Sequence, residues 1–354
     1  MIGTLAAIAF VVYRLHAAGF AWHEFIAVLY RVKWSWLALA QALTLATYVG
    51  RALRWEVMLR PLRKNASLWR IFVSTAIGFT AVVLFGRAGE PVRPYLIAKD
   101  QNVTFSTQVA AWVVERILDL LMVLVIFGVA LTQIGQSAIQ PGPRIRVIAE
   151  TGGFIAGAIG VASLALLIGL RQFRGRVQSR LLEGLAFLPG LWQQRIADFM
   201  RAFDEGMEAT RSPGYAIRLS FYTVVEWIVI VAAFMCVLKA FPSTDGLGLT
   251  DAVILVGFVA FGSVVQLPGV GGGMQIATVL VLTELFGVTF EAASGIALVL
   301  WILTFVMIVP IGLVLAFHEG IRWRSLTHLE TQAAVGLGDA RGLPGPHSGV
   351  GTEK

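Results

Sequence analysis

Charge is scarce in this chain. Only 14% of its 354 residues are Asp, Glu, Lys or Arg, against roughly a quarter in an ordinary soluble domain. Together with a 57% hydrophobic content and a mean hydropathy of +0.77, that deficit excludes a soluble globular fold. Cysteine is nearly absent. Cys236 stands alone inside an apolar run, so no intramolecular disulfide or thiolate metal site is available, and it reads as a small apolar packer. His16, His23, His318, His328 and His347 are scattered singly, none at metal-ligand spacing. No Ser-His-Asp or Cys-His arrangement is suggested. No metal and no cofactor is expected, and the start of the chain lacks a basic n-region and a cleavage site, so it reads as a first helix.

What remains is long, unbroken apolar sequence. A spanning helix needs about 20 mostly apolar residues, whereas barrel strands are about ten residues with alternating polarity. Candidate spans lie near 1–18, 34–53, 104–133, 147–170, 215–240 and 289–317. Two further apolar stretches are interrupted: 68–86 runs into GRAGEPVRPYLIAKD, and 251–287 is broken by PGVGGG at 268–273.

The formal charge of +7 sits in loops between apolar runs, which is the positive-inside pattern rather than a nucleic-acid surface. Segment 51–70 holds Arg51, Arg54, Arg60, Arg63, Lys64 and Arg70 against Glu56. Segment 171–211 carries seven arginines, and Arg322 and Arg324 follow the last helix. If all three segments are cytoplasmic, 68–100 and 251–287 must each enter and return on one side. The expectation is an all-α integral membrane protein with about six spanning helices and two oppositely oriented re-entrant helical hairpins. Both termini are then cytoplasmic. Irregular backbone at membrane depth survives only where protein buries it or it lines a wet cavity, and paired broken elements are a transporter architecture. The membrane domain is expected over 1–324. Within it, 171–211 reads as amphipathic helices on the cytoplasmic face, and 325–354 as a disordered tail.

The polar clusters carry the chemistry. In Gly86–Tyr95, Gly86 and Gly89 permit a tight turn, Pro91 and Pro94 discourage a continuous helix, and Arg87 and Arg93 offer forked donors suited to phosphate. Glu90 stands between them, able to hold an arginine and yield it to an anion. The alternative is a hairpin tip fixed by an internal ion pair. Glu115 and Asp119, four residues apart, share a helix face, with Arg116 about 100° around. This trio, read as lying near the inner end of its span, either clamps a headgroup or braces the hairpin. Glu226 and Glu284 are lone acids inside apolar sequence, and Asp251 reads as an N-cap partner. At the second break, Pro268, Gly269, Gly271, Gly272 and Gly273 demand an unwound turn or close packing. No Lys-Ser/Thr follows, which argues against nucleotide binding. Trp34, Trp36, Trp55, Trp69 and Trp323 read as interfacial belts.

The segments FGRAGEPVRPYLIAKD, WVVERILDLL, and LPGVGGGMQIA with LFGVTFEAASGIALVLW resemble the flippase-like domain family, the membrane region of lysylphosphatidylglycerol synthases. The resemblance covers roughly residues 1–320. It implies a lipid translocase in which Gly89, Glu90 and Arg93 match the glycine, glutamate and arginine after the first hairpin. Glu115, Arg116 and Asp119 match the glutamate-arginine-x-x-aspartate pattern, and Pro268, Gly269 and Gly271 match the glycine-rich break. Gln275 stands where many members have glutamate, and Trp301 where many have arginine, so both charges of a pair are missing together. The fused synthase domain is absent, so lipid aminoacylation is not expected from this chain. The resulting expectation is a translocase of anionic or lipid-linked phosphate-bearing substrate across an inner membrane, with membrane lipid as partner and no nucleic acid. The rivals are a membrane-embedded enzyme on a lipid-linked substrate and a non-transporting partner of envelope-lipid biosynthetic enzymes.

Overall fold

The structure is a computed structural model that describes residues 19–136, 142–172, 190–263, 266–267 and 271–320. The expected first span and the tail lie outside them, as do Pro268 and Gly269. Among the described residues the chain is helical, apart from one two-residue antiparallel pairing of Gln266–Leu267 with Gly271–Gly272. A short helix α1 (Trp22–Tyr30) precedes α2 (Trp34–Leu59). Helix α3 (Leu68–Phe85), a 3-10 turn (Gly86–Gly89) and α4 (Val92–Gln101) follow. Then come the long helices α5 (Phe105–Gln136) and α6 (Pro143–Gln172). Helices α7 (Gly190–Gly206) and α8 (Glu208–Arg211) lead into α9 (Pro213–Ala240). The second broken region is α10 (Leu249–Gly262), the short pairing and α11 (Gly273–Glu284). The last long unit is α12 (Phe290–Trp301), a π-helical turn (Ile302–Val306) and α13 (Ile308–His318).

Leu68–Gly89, Phe105–Gly135, Pro143–Gly169, Pro213–Ala240 and Phe290–His318 are long and apolar enough to cross a membrane, by length and composition. Helix α2, with 26 residues, is about 39 Å long and also sufficient in length. The chain is a multi-pass helical membrane protein. Its lipid-facing side is frankly apolar: Phe154, Val161 and Ile228 are largely exposed, as bilayer contact requires.

Segment 68–101 folds back on itself. Ser74 donates to Asp100 at 3.0 Å. One turn on, a Cβ at Gly78 would strike Arg93, and one at Gly89 would strike the Ala81 backbone. These pairings run antiparallel, so α4 returns along α3, and the missing side chains at Gly78 and Gly89 let the arms touch. Gly86 takes φ +65° where α3 ends, a conformation that costs glycine little. Helices α10 and α11 form the second hairpin, closed by Gly262 against Gly273 and Ala277.

The two hairpins point in opposite directions. The base of the first joins the start of α5 through residues 102–104. The base of the second lies at the other end of α5, where the Glu284 carboxylate accepts from the Ile145 N–H at 3.0 Å in the first turn of α6. Helix α10 packs along α5 through Phe127, which meets Phe258 edge-on and stacks on Phe261, and through Gly257. Glu284, a lone acid in the sequence, therefore caps a neighbouring helix, and Asp251 accepts from the Gly248 N–H at 2.8 Å, as an N-terminal cap partner should.

The last unit is kinked by its own sequence. Pro310 lacks an N–H and crowds the carbonyl of Val306, and the turn before it widens into the π-form. The loosened carbonyl of Thr304 accepts from the Tyr48 hydroxyl of α2 at 3.2 Å. Helix α13 then lies against α3 with Gly312 directly on Thr80.

Candidate functional site

Helix α2 does not stop near residue 53. It runs to Leu59, and Arg51, Arg54 and Trp55 face inward on one stripe of it (i, i+3, i+4). The topological reading of Arg51 and Arg54 as loop charges and of Trp55 as an interfacial residue is therefore corrected. Arg54 and Trp55 are fully buried. Trp34 and Trp69 are well exposed.

Arg54 is the hub of a buried ion network that joins three helices. Its Nη1 donates to Asp119 Oδ1 at 2.6 Å and to Thr223 Oγ1 at 3.3 Å. Its Nη2 donates to Glu115 Oε1 at 2.9 Å and to Asp119 Oδ2 at 3.3 Å. Its Nε lies 3.1 Å from Glu226 Oε2. Arg51 meets the other Glu226 oxygen at 3.0 Å and lies over the Phe79 ring, 4.8 Å from its centroid. Glu115 also accepts from Trp55 Nε1 at 2.9 Å and pairs with Arg93. Arg116 stands 3.8 Å away from it.

The network is deep. Glu226 lies 13 residues into the 28-residue α9, about 20 Å along it, near its middle. Glu115 and Asp119 lie 10 and 14 residues into the 32-residue α5, about 15–21 Å along it. Both lie in the first half of that helix, toward its start. Charge at such depth costs roughly 3 kcal/mol or more per group on insertion scales unless paired, and pairing across helices is what keeps it there.

Arg93 is the contribution of the first hairpin. It is buried beneath the Trp55 ring at 4.5 Å and near Phe79 at 5.4 Å, which stabilises a guanidinium by cation–π attraction. Nη2 of Arg93 is the atom that meets Glu115, while Nη1 has no hydrogen-bond partner. The site is closed around Arg54, Glu115, Glu226 and Arg93. It opens toward Arg51, Asp119 and Arg116, whose side chains are 18%, 15% and 43% exposed.

The structure thus brings together Arg93, Glu115, Arg116 and Asp119 of the sequence-selected residues. Glu90, half-buried after the turn, lies within electrostatic range of Arg116. Arg87 is exposed on the turn, and Gly89 serves the turn's packing. In the second hairpin, Gly271 and Gly272 form the short pairing and Gly272 adopts φ +132°. Gln275 accepts from the Gly272 N–H at 2.7 Å, capping α11, which Gly273 begins. That tip connects to the cluster through side chains of three elements. Thr304 donates to Met274 Sδ at 3.7 Å, its carbonyl holds Tyr48, and Tyr48 packs edge-on against Phe79 at 5.2 Å. The residues that sequence reasoning missed are Arg54, Arg51 and Trp55. The signal was available: Val57, Met58 and Leu59 continue the apolar pattern beyond the arginines, so the helix had reason to continue. Among the described residues, no group of acids, histidines and cysteine could hold a metal ion.

Comparison with known proteins agrees with this architecture. The family model described as the lysylphosphatidylglycerol synthase TM region matches residues 1–312. The protein named glycosyltransferase AglD of Haloferax volcanii is 24% identical over 303 residues, which are 77% of this chain and 47% of that protein. The chain thus spans about half the length of that relative. No solved structure matches. With nearly its whole membrane region matched, the chain belongs to the lysylphosphatidylglycerol synthase transmembrane-region family.

Proposed function

We propose that the protein is a lipid translocase of the inner membrane that passes an anionic, phosphate-bearing headgroup across a polar path while the lipid tails stay in the bilayer. The observation that carries this reading is Arg93. It is a buried guanidinium, set on a hairpin, cushioned by two aromatic rings, with one terminal nitrogen on Glu115 and the other without a partner. It can leave Glu115 cheaply, because Glu115 keeps the donors of Arg54 and Trp55. A buried donor with an unmet hydrogen bond is costly, and two oxygens of a phosphate meet a guanidinium bidentately. Arg51 and Arg116, on the open side, would receive the headgroup first. The two oppositely directed hairpins supply the alternating gates that such a path needs.

The test is flipping of fluorescent phosphatidylglycerol in phosphatidylcholine vesicles. Arg93→Ala should lower the protein-dependent rate roughly 10- to 100-fold, the loss of a charge-assisted hydrogen bond. Lys64→Ala, an exposed site on the loop after α2, should not. Equal rates in wild type and Arg93→Ala would refute the site.

The name of the Haloferax relative favours a second reading, in which the chain serves glycosyl transfer to a lipid carrier. A covalently altered lipid, detected by mass after incubation with a polyprenyl phosphate and a sugar donor, would support that reading over transport.

A further inference from the structure

The cluster is electrically balanced. Arg51, Arg54, Arg93 and Arg116 face Glu90, Glu115, Asp119 and Glu226, four charges of each sign. An anion that enters leaves one carboxylate in excess, at a depth where an unpaired charge is expensive. Something must neutralise it.

The three buried carboxylates are not equivalent. Glu115 accepts hydrogen bonds from Arg54 and Trp55 and pairs with Arg93. Asp119 accepts two from Arg54. Hydrogen bonds to the ionised form hold a carboxylate ionised. Glu226 has none of good geometry on either oxygen. It is held by charge alone, through Arg51 and the Nε of an Arg54 whose other nitrogens are engaged elsewhere. Arg51 is the partner most easily taken, since it lies on the open side where an anion arrives.

We infer that Glu226 is a proton-binding site, and that a proton on its carboxylate accompanies each anionic headgroup bound at the cluster. The step adds H⁺ to one carboxylate oxygen and breaks no covalent bond. Arg51 is released toward the anion, and the cluster returns to balance. By linkage, the anion must raise the affinity for the proton by the same factor that the proton raises the affinity for the anion.

The groups facing Glu226 are few. Helix α2 presents Arg51, Arg54 and Tyr48, α5 presents Asp119, and α4 presents Arg93. Helices α10 and α12, also packed on α9, have their acids Asp251 and Glu291 in their first turns. The inference rests on the headgroup reading above for what the proton accompanies, but the proton site can be tested without transport.

The experiment has two arms. In the first, infrared difference spectra of the purified protein are taken from neutral to mildly acidic pH. Wild type should show the protonated-carboxyl stretch appearing, and Glu226→Gln should lack it. A band that persists in Glu226→Gln, or one absent from wild type, overturns the inference even if lipid moves. In the second, flipping of fluorescent phosphatidylglycerol in phosphatidylcholine vesicles should quicken as pH falls in wild type and be independent of pH in Glu226→Gln. Flipping that depends on pH equally in both overturns the coupling and leaves the translocase reading standing. No flipping by wild type at any pH counts against that reading, while the infrared arm still decides the proton site. If Glu226→Gln does not fold, Glu226→Asp, with a carboxyl one methylene short, should shift the infrared midpoint, and an unmoved midpoint counts as refutation.

Discussion

Removing Arg54 should be the most damaging single truncation in the protein. Its guanidinium contacts Asp119, Glu115, Glu226 and Thr223 at 2.6–3.3 Å, and its side chain is fully buried. Arg54→Ala strips a shared cation from three buried carboxylates. Breaking even one buried pair by removing one partner costs about 3–5 kcal/mol, so the loss should reach at least the upper end of that range. Arg54→Lys retains charge but presents a single ammonium, which cannot serve carboxylates from two other helices at once; it should recover only part of the loss. Pairing Arg54→Ala with Glu226→Gln should cost less than the sum of the single changes, because the second change removes one stranded charge. Unfolding in detergent, followed by tryptophan fluorescence, gives the values for Arg54→Ala, Arg54→Lys, Glu226→Gln and the double change. Arg54→Ala within about 1 kcal/mol of wild type, the range of a surface pair, would refute the account of the network as the brace of the membrane domain.

Other outcomes follow from single contacts. Gly78→Val should force α4 off α3, costing about 1–3 kcal/mol by overpacking and reducing flipping by displacing Arg93; unchanged stability in the same unfolding assay would argue against the antiparallel pairing. Tyr48→Phe should cost about 0.5–1.5 kcal/mol, a single hydrogen bond, and loosen the Thr304 turn, which hydrogen–deuterium exchange at residues 302–310 would register. The exposed link between Lys33 and Asp245, 2.7 Å long, holds the Asp245 carboxyl below its ordinary value through the hydrogen bond from Lys33. Because the folded value is the lower one, the link contributes above the ordinary carboxylate range and is lost as pH falls through the depressed value. Its contribution should also fade with salt. Double cysteine replacement, Lys33→Cys with Asp245→Cys, should be joined by a short bifunctional thiol reagent that spans the length of the lost side chains, and failure to do so would place α2 and the loop after α9 apart.

Much of the fold was legible because membrane burial writes long averages into the sequence. Few charges and runs of about twenty apolar residues gave helices and ruled out a soluble domain. Gly86, Gly89, Pro91 and Pro94 marked the first reversal, and the glycine-rich break marked the second. The spacing of Glu115 and Asp119 placed two ligands of the network on one face. The same averaging misjudged α2. Arg51 and Arg54 were counted as loop charges because hydropathy along the chain cannot tell an arginine facing lipid or water from one facing carboxylates on another helix. Which carboxylates surround Arg54 depends on how α2, α5 and α9 are rotated against one another. The hold on Arg93 depends on Gly78 bringing two backbones together, and the Tyr48 contact on a π-turn that Pro310 imposes. Local composition determined that this chain lives in a membrane as broken helices. Only packing across helices decided which buried charges meet, because an ion pair at that depth is fixed by distances between segments far apart in sequence.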